Sequence, residues 1–170
     1  MTRKSEPTTC QKQACQEPVC QEGALTKIGL AGQASRQNAK PSVLFLCDGK
    51  EGYSLVAQSI LTHKANSYFR GFSAFTSSTC DVTSACHALH QYNIVCSDKY
   101  HLKIDNYKEE RVDYLIAMSP SSVQSGKPLP EYSKFIPWDV TGGGEVSNKH
   151  SVVKYINEQI NYFLSVYLYR

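Results

Sequence analysis

Cys47 opens the stretch Cys47-Asp48-Gly49-Lys50-Glu51-Gly52-Tyr53-Ser54, and its setting gives the thiol chemical interest. The residues before it, Val43-Leu44-Phe45-Leu46, read as a buried strand. Those after it form a short Gly-bearing loop, and Ser54 is placed to cap the helix that follows. Such a strand–loop–helix turn surrounds a thiol with backbone N–H groups and a helix N-terminus, which hold anions and stabilise thiolates. The chemistry to expect is nucleophilic attack by Cys47, or capture of an anion by the loop of Asp48, Gly49, Lys50, Glu51, Gly52 and Tyr53. The plainer alternative is an inert thiol at a strand end, and the loop and helix start weigh against it.

Other reactive residue types are more scattered. Asp139 precedes the run Gly142-Gly143-Gly144 and reads either as a general acid or as a turn residue. His87 and His90 share one helical face without a third ligand, so they read as solvated. Cys10, Cys15 and Cys20 recur every five residues, each followed by Gln. Without a nearby fourth ligand they read as thiols of a low-complexity segment rather than a zinc site. No metal or cofactor is expected.

These residues need elements to position them. Residues 1–40 are polar, carry Arg3, Lys4, Lys12, Lys27, Arg36 and Lys40 against Glu6, Glu17 and Glu22, and read as a disordered tail. The chain's net charge of +3 is therefore the tail's, and residues 41–170 are neutral. A neutral folded part implies no basic face for nucleic acid. No apolar run approaches the length of a membrane span, and no signal-peptide core opens the chain. Seven scattered cysteines do not form a disulfide framework, so free thiols in a reducing, cytoplasmic setting are expected.

From residue 41 the pattern is that of one domain. Strands are expected at Ser42–Leu46, Tyr68–Phe75, Val112–Met118 and Lys134–Ile136. Helices are expected at Ser54–Asn66, at Asp81–Tyr92 with Asp81 as cap, and from Lys149 to Leu168. Alternation of this kind predicts a doubly wound α/β sandwich of three layers around a four-stranded parallel sheet. Ligands of such sheets bind at the C-terminal strand ends, where Cys47 lies.

The order of these features resembles the low-molecular-weight protein tyrosine phosphatases and the thioredoxin-linked arsenate reductases that share their fold. Those proteins open with an apolar strand followed by C-x5-R-S. The frame here is Cys47, five residues, then Tyr53 and Ser54. Gly49 falls where that loop commonly has Gly, and Ala57 where the helix has the Ala of "MAE". Gly71-Phe72-Ser73-Ala74-Phe75 looks like the "SAG" strand end, and the segment from Ala88 to Ile94 is similar to the following helix and "GI" turn. The segment from Asp113 to Ser119 looks like "DLILAM", and Pro137-Trp138-Asp139 resembles the start of the aspartate loop. The resemblance spans about Ser42 to Leu168.

The resemblance implies a Cys47 nucleophile that forms a phosphocysteine, with Ser54 easing departure of the thiolate. It also exposes departures. Tyr53 replaces an arginine that would fork two N–H bonds onto phosphate, and supplies one neutral donor instead. Asp48 and Glu51 oppose an anion, and Lys50 is only a flexible point charge. The acid of the family's "DP" pair falls on Asp139 in one alignment and on Gly142, and is then lost, in the other. The reductases' relay cysteines have no counterpart from Ser119 to Ser125, and the second loop cysteine of many phosphatases falls at Gly52. Cys86 reads as a small buried apolar residue, and Cys80 and Cys96 are expected to reach Cys47 only by unusual packing.

The leading expectation is thus a catalytically impaired phosphatase-like protein that acts by binding or regulation. Its partners would be a phosphorylated protein or small anion at the loop, or a protein docking on the fold, and neither nucleic acid nor membrane. Two alternatives stay open: an active phosphomonoesterase using Cys47, Ser54 and Asp139, and a thiol-based redox regulator.

Overall fold

A computed structural model describes residues 39–97, 99–140 and 149–169. The expected disorder of residues 1–40, with Cys10, Cys15 and Cys20, lies almost wholly outside them.

Five parallel strands build the sheet. They are β1 (Ser42–Cys47), β2 (Arg70–Phe75), β3 (His101–Lys103), β4 (Arg111–Ala117) and β5 (Glu131–Pro137), in the order β3-β2-β1-β4-β5. The helices are α1 (Tyr53–Ala65), α2 (Val82–His90), the single turn α3 (Pro120–Val123) and α4 (Lys149–Tyr167). β1 is central and wholly buried, as its unbroken apolar run requires. Its neighbours β2 and β4 follow it on opposite sides, so the chain changes direction across the sheet at β1. Crevices open at the C-terminal strand ends at such a point.

Side chains of β1 alternate between two cores. Val43, Phe45 and Cys47 face Leu55, Ile60, Leu89, Ile156, Ile160 and Phe163, which belong to α1, α2 and α4. Leu44 and Leu46 face Phe72, Ile104, Tyr107 and Leu115 on the other side. That second face is covered thinly, by the 3-10 turn Ile104–Tyr107 with Tyr100 and Leu129 packed against it. α1 is buried from Ser54 to Leu61 with hardly a break, including the polar Gln58 and Ser59. At the N-terminal ends of β1 and β4, Asp113 accepts bonds from the Ser42 N–H and hydroxyl (both 2.8 Å) and returns its own N–H to the Ser42 hydroxyl at 3.0 Å.

The expected elements are present, with four corrections. The sheet has five strands, because the three residues of β3 pair with Ser73–Phe75 at an edge and are too few to show a period. β2 starts at Arg70 rather than Tyr68, since the Tyr68 and Phe69 N–H groups still bond the Ala65 carbonyl at the end of α1. Ser54 does not cap α1: the cap is Gly52, in the left-handed region at φ 65°, and the Ser54 hydroxyl is used elsewhere. Asp81 does cap α2, accepting the Ser84 N–H at 2.9 Å.

The fourth correction concerns thiols. Cys86 and Cys96 are joined as a disulfide, so these two are neither free nor simply apolar filling. After α2 the chain turns back through Asn93, at φ 56°, and this brings Cys96 beside Cys86.

Trp138, the one tryptophan of the chain, packs on Phe45 with ring centroids 5.8 Å apart. Phe45→Ala is expected to destabilise the fold by about 3–5 kcal/mol. Urea unfolding followed by Trp138 fluorescence checks this, and an unchanged midpoint would contradict the packing described.

Candidate functional site

The loop leaving β1 is held by the segment leaving β2. The two strands run side by side with Cys47 opposite Phe75. Beyond that pair the Thr76 N–H bonds the Cys47 carbonyl at 3.1 Å, the Ser77 N–H bonds the Asp48 carbonyl at 3.1 Å, and the Asp81 N–H bonds the Gly49 carbonyl at 3.3 Å. Two glycines make this approach possible. A Cβ on Gly49 (φ 100°) would meet Ser77 Oγ and would lie 2.7 Å from the Thr79 carbonyl oxygen. One on Gly52 would lie 2.8 Å from the Asp81 carbonyl oxygen. Only Gly adopts these angles at little cost.

Cys47 Sγ sits at the floor of the loop, 2% exposed. Ser54 Oγ lies 3.0 Å from it. Its pKa is lowered to about 7, first by a hydrogen bond from the Cys80 thiol, then by the Ser54 hydroxyl and the Ser54 and Gly49 N–H groups. Burial opposes these bonds and is overcome by them. No cation takes part in this stabilisation. Cys80 is the partner that titrates late: sharing its proton with Cys47, together with its own burial, pushes its pKa well up.

Cys80 in turn meets His101. His101 Nε2 is 3.0 Å from Cys80 Sγ, and His101 Nδ1 is 2.8 Å from Ser73 Oγ, which donates to Gln58 Oε1 at 2.7 Å. Ser73 has one proton and gives it to Gln58. His101 Nδ1 therefore meets Ser73 as a donor, and Nε2 is turned toward Cys80. This row explains the buried polar Gln58 of α1, Ser73 of β2 and His101 of β3.

Around the thiol the charge is negative. Asp48 Oδ1 accepts the Lys50 N–H at 3.2 Å, taking one of the loop's own donors, and its Oδ2 is 3.4 Å from Ser121 Oγ. Tyr53 is partly buried at the start of α1. Its pKa is raised by burial and then by Glu51 and Asp48, so it stays a neutral phenol. Lys50 is exposed.

Of the residues expected from the sequence, Cys47, Ser54 and the loop of Asp48, Gly49, Lys50, Glu51, Gly52 and Tyr53 come together as one unit. Asp139 follows β5 at the same end of the sheet. It is exposed between two buried anchors, Trp138 and Val140, whose N–H groups bond the Ala117 and Met118 carbonyls at 2.7 and 3.0 Å. The alternative position Gly142 and the glycine run lie outside the described residues. His87 and His90 are exposed on α2.

Cys80 and His101 were missed from the sequence: Cys80 was expected to reach Cys47 only by unusual packing, whereas ordinary pairing of β1 with β2 sets the two loops side by side. The signal was topological. Both cysteines follow strands that end at the same edge, and adjacent parallel strands must send their loops out side by side. His101 had no such signal, because β3 was not foreseen.

No known family profile matches the chain, and no curated protein matches it. Solved structures do. The thioredoxin-dependent arsenate reductase of Corynebacterium glutamicum is similar at 24% identity and TM-score 0.57, over 79% of this chain and 65% of that one. This chain thus spans less than two thirds of that reductase. The low-molecular-weight protein tyrosine phosphatase of T. tengcongensis is similar at 21% identity and TM-score 0.55, over 74% and 99%. That of Streptococcus pyogenes is similar at 17% identity and TM-score 0.56, over 75% and 93%. The chain has the fold shared by the low-molecular-weight tyrosine phosphatases and these arsenate reductases. Among the described residues no helix is long and apolar enough to cross a membrane.

A thiolate of this kind reacts in proportion to its ionised fraction, which grows with pH. Alkylation of Cys47 by iodoacetamide, read by peptide mapping, is expected to reach half its maximal rate near pH 7. In Cys80→Ala the midpoint should move up toward the ordinary thiol value of 9.0. An unmoved midpoint would remove Cys80 from the stabilisation.

Proposed function

We propose that this chain is a phosphatase-like protein impaired in phosphomonoester hydrolysis, which acts by binding or regulation through the Cys47 loop. One observation carries the reading. The loop holds a stabilised thiolate but no guanidinium, and places Asp48, Glu51 and the neutral Tyr53 around it. A phosphoryl group gathers negative charge on its equatorial oxygens, and catalysis of its transfer depends on donors and cations aimed there. Removing one such donor from a dry site costs about a hundredfold or more in rate. Here two carboxylates add repulsion. A small oxyanion or the phosphate of a phosphorylated protein would be held weakly, by loop N–H groups and Lys50, and protein docking would supply the rest.

The competing reading is an active phosphomonoesterase. In it Cys47 attacks phosphorus, Ser54 eases the thiolate's departure, Asp139 protonates the leaving oxygen and Lys50 stands in for the arginine. Asp139, at the sheet end that also carries Cys47, is the observation in its favour.

Hydrolysis of para-nitrophenyl phosphate from pH 5 to 7, compared with Cys47→Ser, separates the two. The expected result is no turnover above the variant. Turnover that disappears in Cys47→Ser would establish the enzyme instead. Tyr53→Arg is expected to raise hydrolysis at least tenfold above background. No gain would mean that more than the clamp has been lost.

A further inference from the structure

We propose that Cys80 and His101 form a second nucleophilic centre, a thiol–imidazole pair that takes an acyl group from a neutral ester or thioester onto Cys80. The proposal does not rest on the reading of the Cys47 loop.

Three observations carry it. The first is the reach of the base. His101 Nε2 lies 3.0 Å from Cys80 Sγ, within the distance over which a general base takes a proton. Sheet register prepares the contact: Ser73 of β2 pairs with His101 of β3, and the segment that leaves β2 returns Cys80 to the ring.

The second is the orientation of the base. His101 is buried, and its ring packs on Phe75 with centroids 5.0 Å apart. Nδ1 meets Ser73 Oγ at 2.8 Å, and Ser73 gives its proton to Gln58 at 2.7 Å. A neutral imidazole that donates from Nδ1 accepts at Nε2. A thiol, a base at hydrogen-bonding distance and a third group that orients the base are the parts of an activated nucleophile. Gln58, Ser73 and His101 are all buried, and buried polar groups are costly unless each is satisfied. Here the row they form ends on a thiol.

The third observation selects the electrophile. Cys80 is half-buried, whereas Cys47 is 2% exposed, so Cys80 is the thiol that a substrate larger than a small ion can meet. Asp48 and Asp81 place negative charge near its sulfur, which disfavours phosphate esters and other anions. Cys80 also keeps its proton at rest. It therefore needs its base during the attack, as hydroxyl nucleophiles do, and a neutral carbonyl carbon suits that chemistry.

The step balances. The Cys80 sulfur adds to the carbonyl carbon as its proton passes to His101 Nε2. The tetrahedral intermediate collapses, the bond from carbon to the leaving oxygen or sulfur breaks, and that atom takes the proton from His101. One thiol and one ester yield a Cys80 thioester and an alcohol; a thioester donor yields a thiol in place of the alcohol.

The test treats the full chain with para-nitrophenyl acetate at pH 7, quenches with acid at intervals and maps the acetylated peptides after pepsin digestion. The expected product is acetyl-Cys80, formed about tenfold or more faster than acetylation of Cys10, Cys15 or Cys20, which have no base assigned to them. In His101→Gln, acetylation of Cys80 is expected to slow about a hundredfold. The native chain should also react more slowly in deuterium oxide at matched acidity, because the proton moves to Nε2 as the sulfur attacks. Acetyl found first on Cys47, or spread evenly over Cys80 and the three tail cysteines, would overturn the nucleophile. An undiminished rate in a folded His101→Gln, or equal rates in the two solvents, would overturn the base. The peptide map and the solvent comparison both use the native chain, so they decide the proposal even where the variant fails to fold.

Discussion

Everything distinctive about this site depends on three backbone hydrogen bonds that clamp the β1 loop to the segment after β2. They require Gly49 and Gly52, because side chains at either position would collide with the facing carbonyls. They bring Cys80 to Cys47, and through Cys80 they connect the thiol to His101 on β3. The central position of β1 matters for the same reason. Only a strand with a parallel neighbour on each side has its loop bordered by other loops, and here the loop after β2 is the one that touches it.

The electrostatic consequence is a thiolate held by hydrogen bonds rather than by charge. Neutral donors can offset burial and keep a sulfur anion near neutrality. They do not make the loop attractive to a second anion, and Asp48 and Glu51 make it less so. The guanidinium that would supply thiolate stability and oxyanion affinity together is absent from residues 47–54.

The strands and helices that could be read from the sequence were those with a clear signal: the continuous apolar run of β1, the apolar stretch Tyr114–Ala117 of β4, the Asp81 cap of α2 and the long apolar stripe of α4. The Cys47 loop was legible because its residues are consecutive. β3 was not, since three residues at an edge carry no period, and with β3 went His101. Cys80 was visible as a residue but not as a neighbour, because its proximity to Cys47 comes from sheet pairing rather than from spacing. The Cys86–Cys96 disulfide was hidden for a related reason. It needs the reversal at Asn93, and the turn expected there does not by itself place Cys96 against Cys86. Ser54 shows the reverse error. Propensity alone assigned it a capping role, and the tertiary structure gave its hydroxyl to the thiol.

The Ser42–Asp113 latch acts at the other end of β1 from the thiol, yet it decides where the thiol points. Neighbouring residues on a strand face opposite sides of the sheet, so a slip of one position against β4 would exchange the two faces. Cys47 would then turn away from α1, Ser54 and Cys80 and into the thin layer beneath the sheet, while Leu46 took its place. Both faces of β1 are apolar, so hydrophobic patterning alone discriminates poorly between the two alignments. A carboxylate that accepts both donors of Ser42 and returns its own N–H to the same hydroxyl fits only one of them. The aim of the sulfur is thus set by a pair of residues that never approaches it.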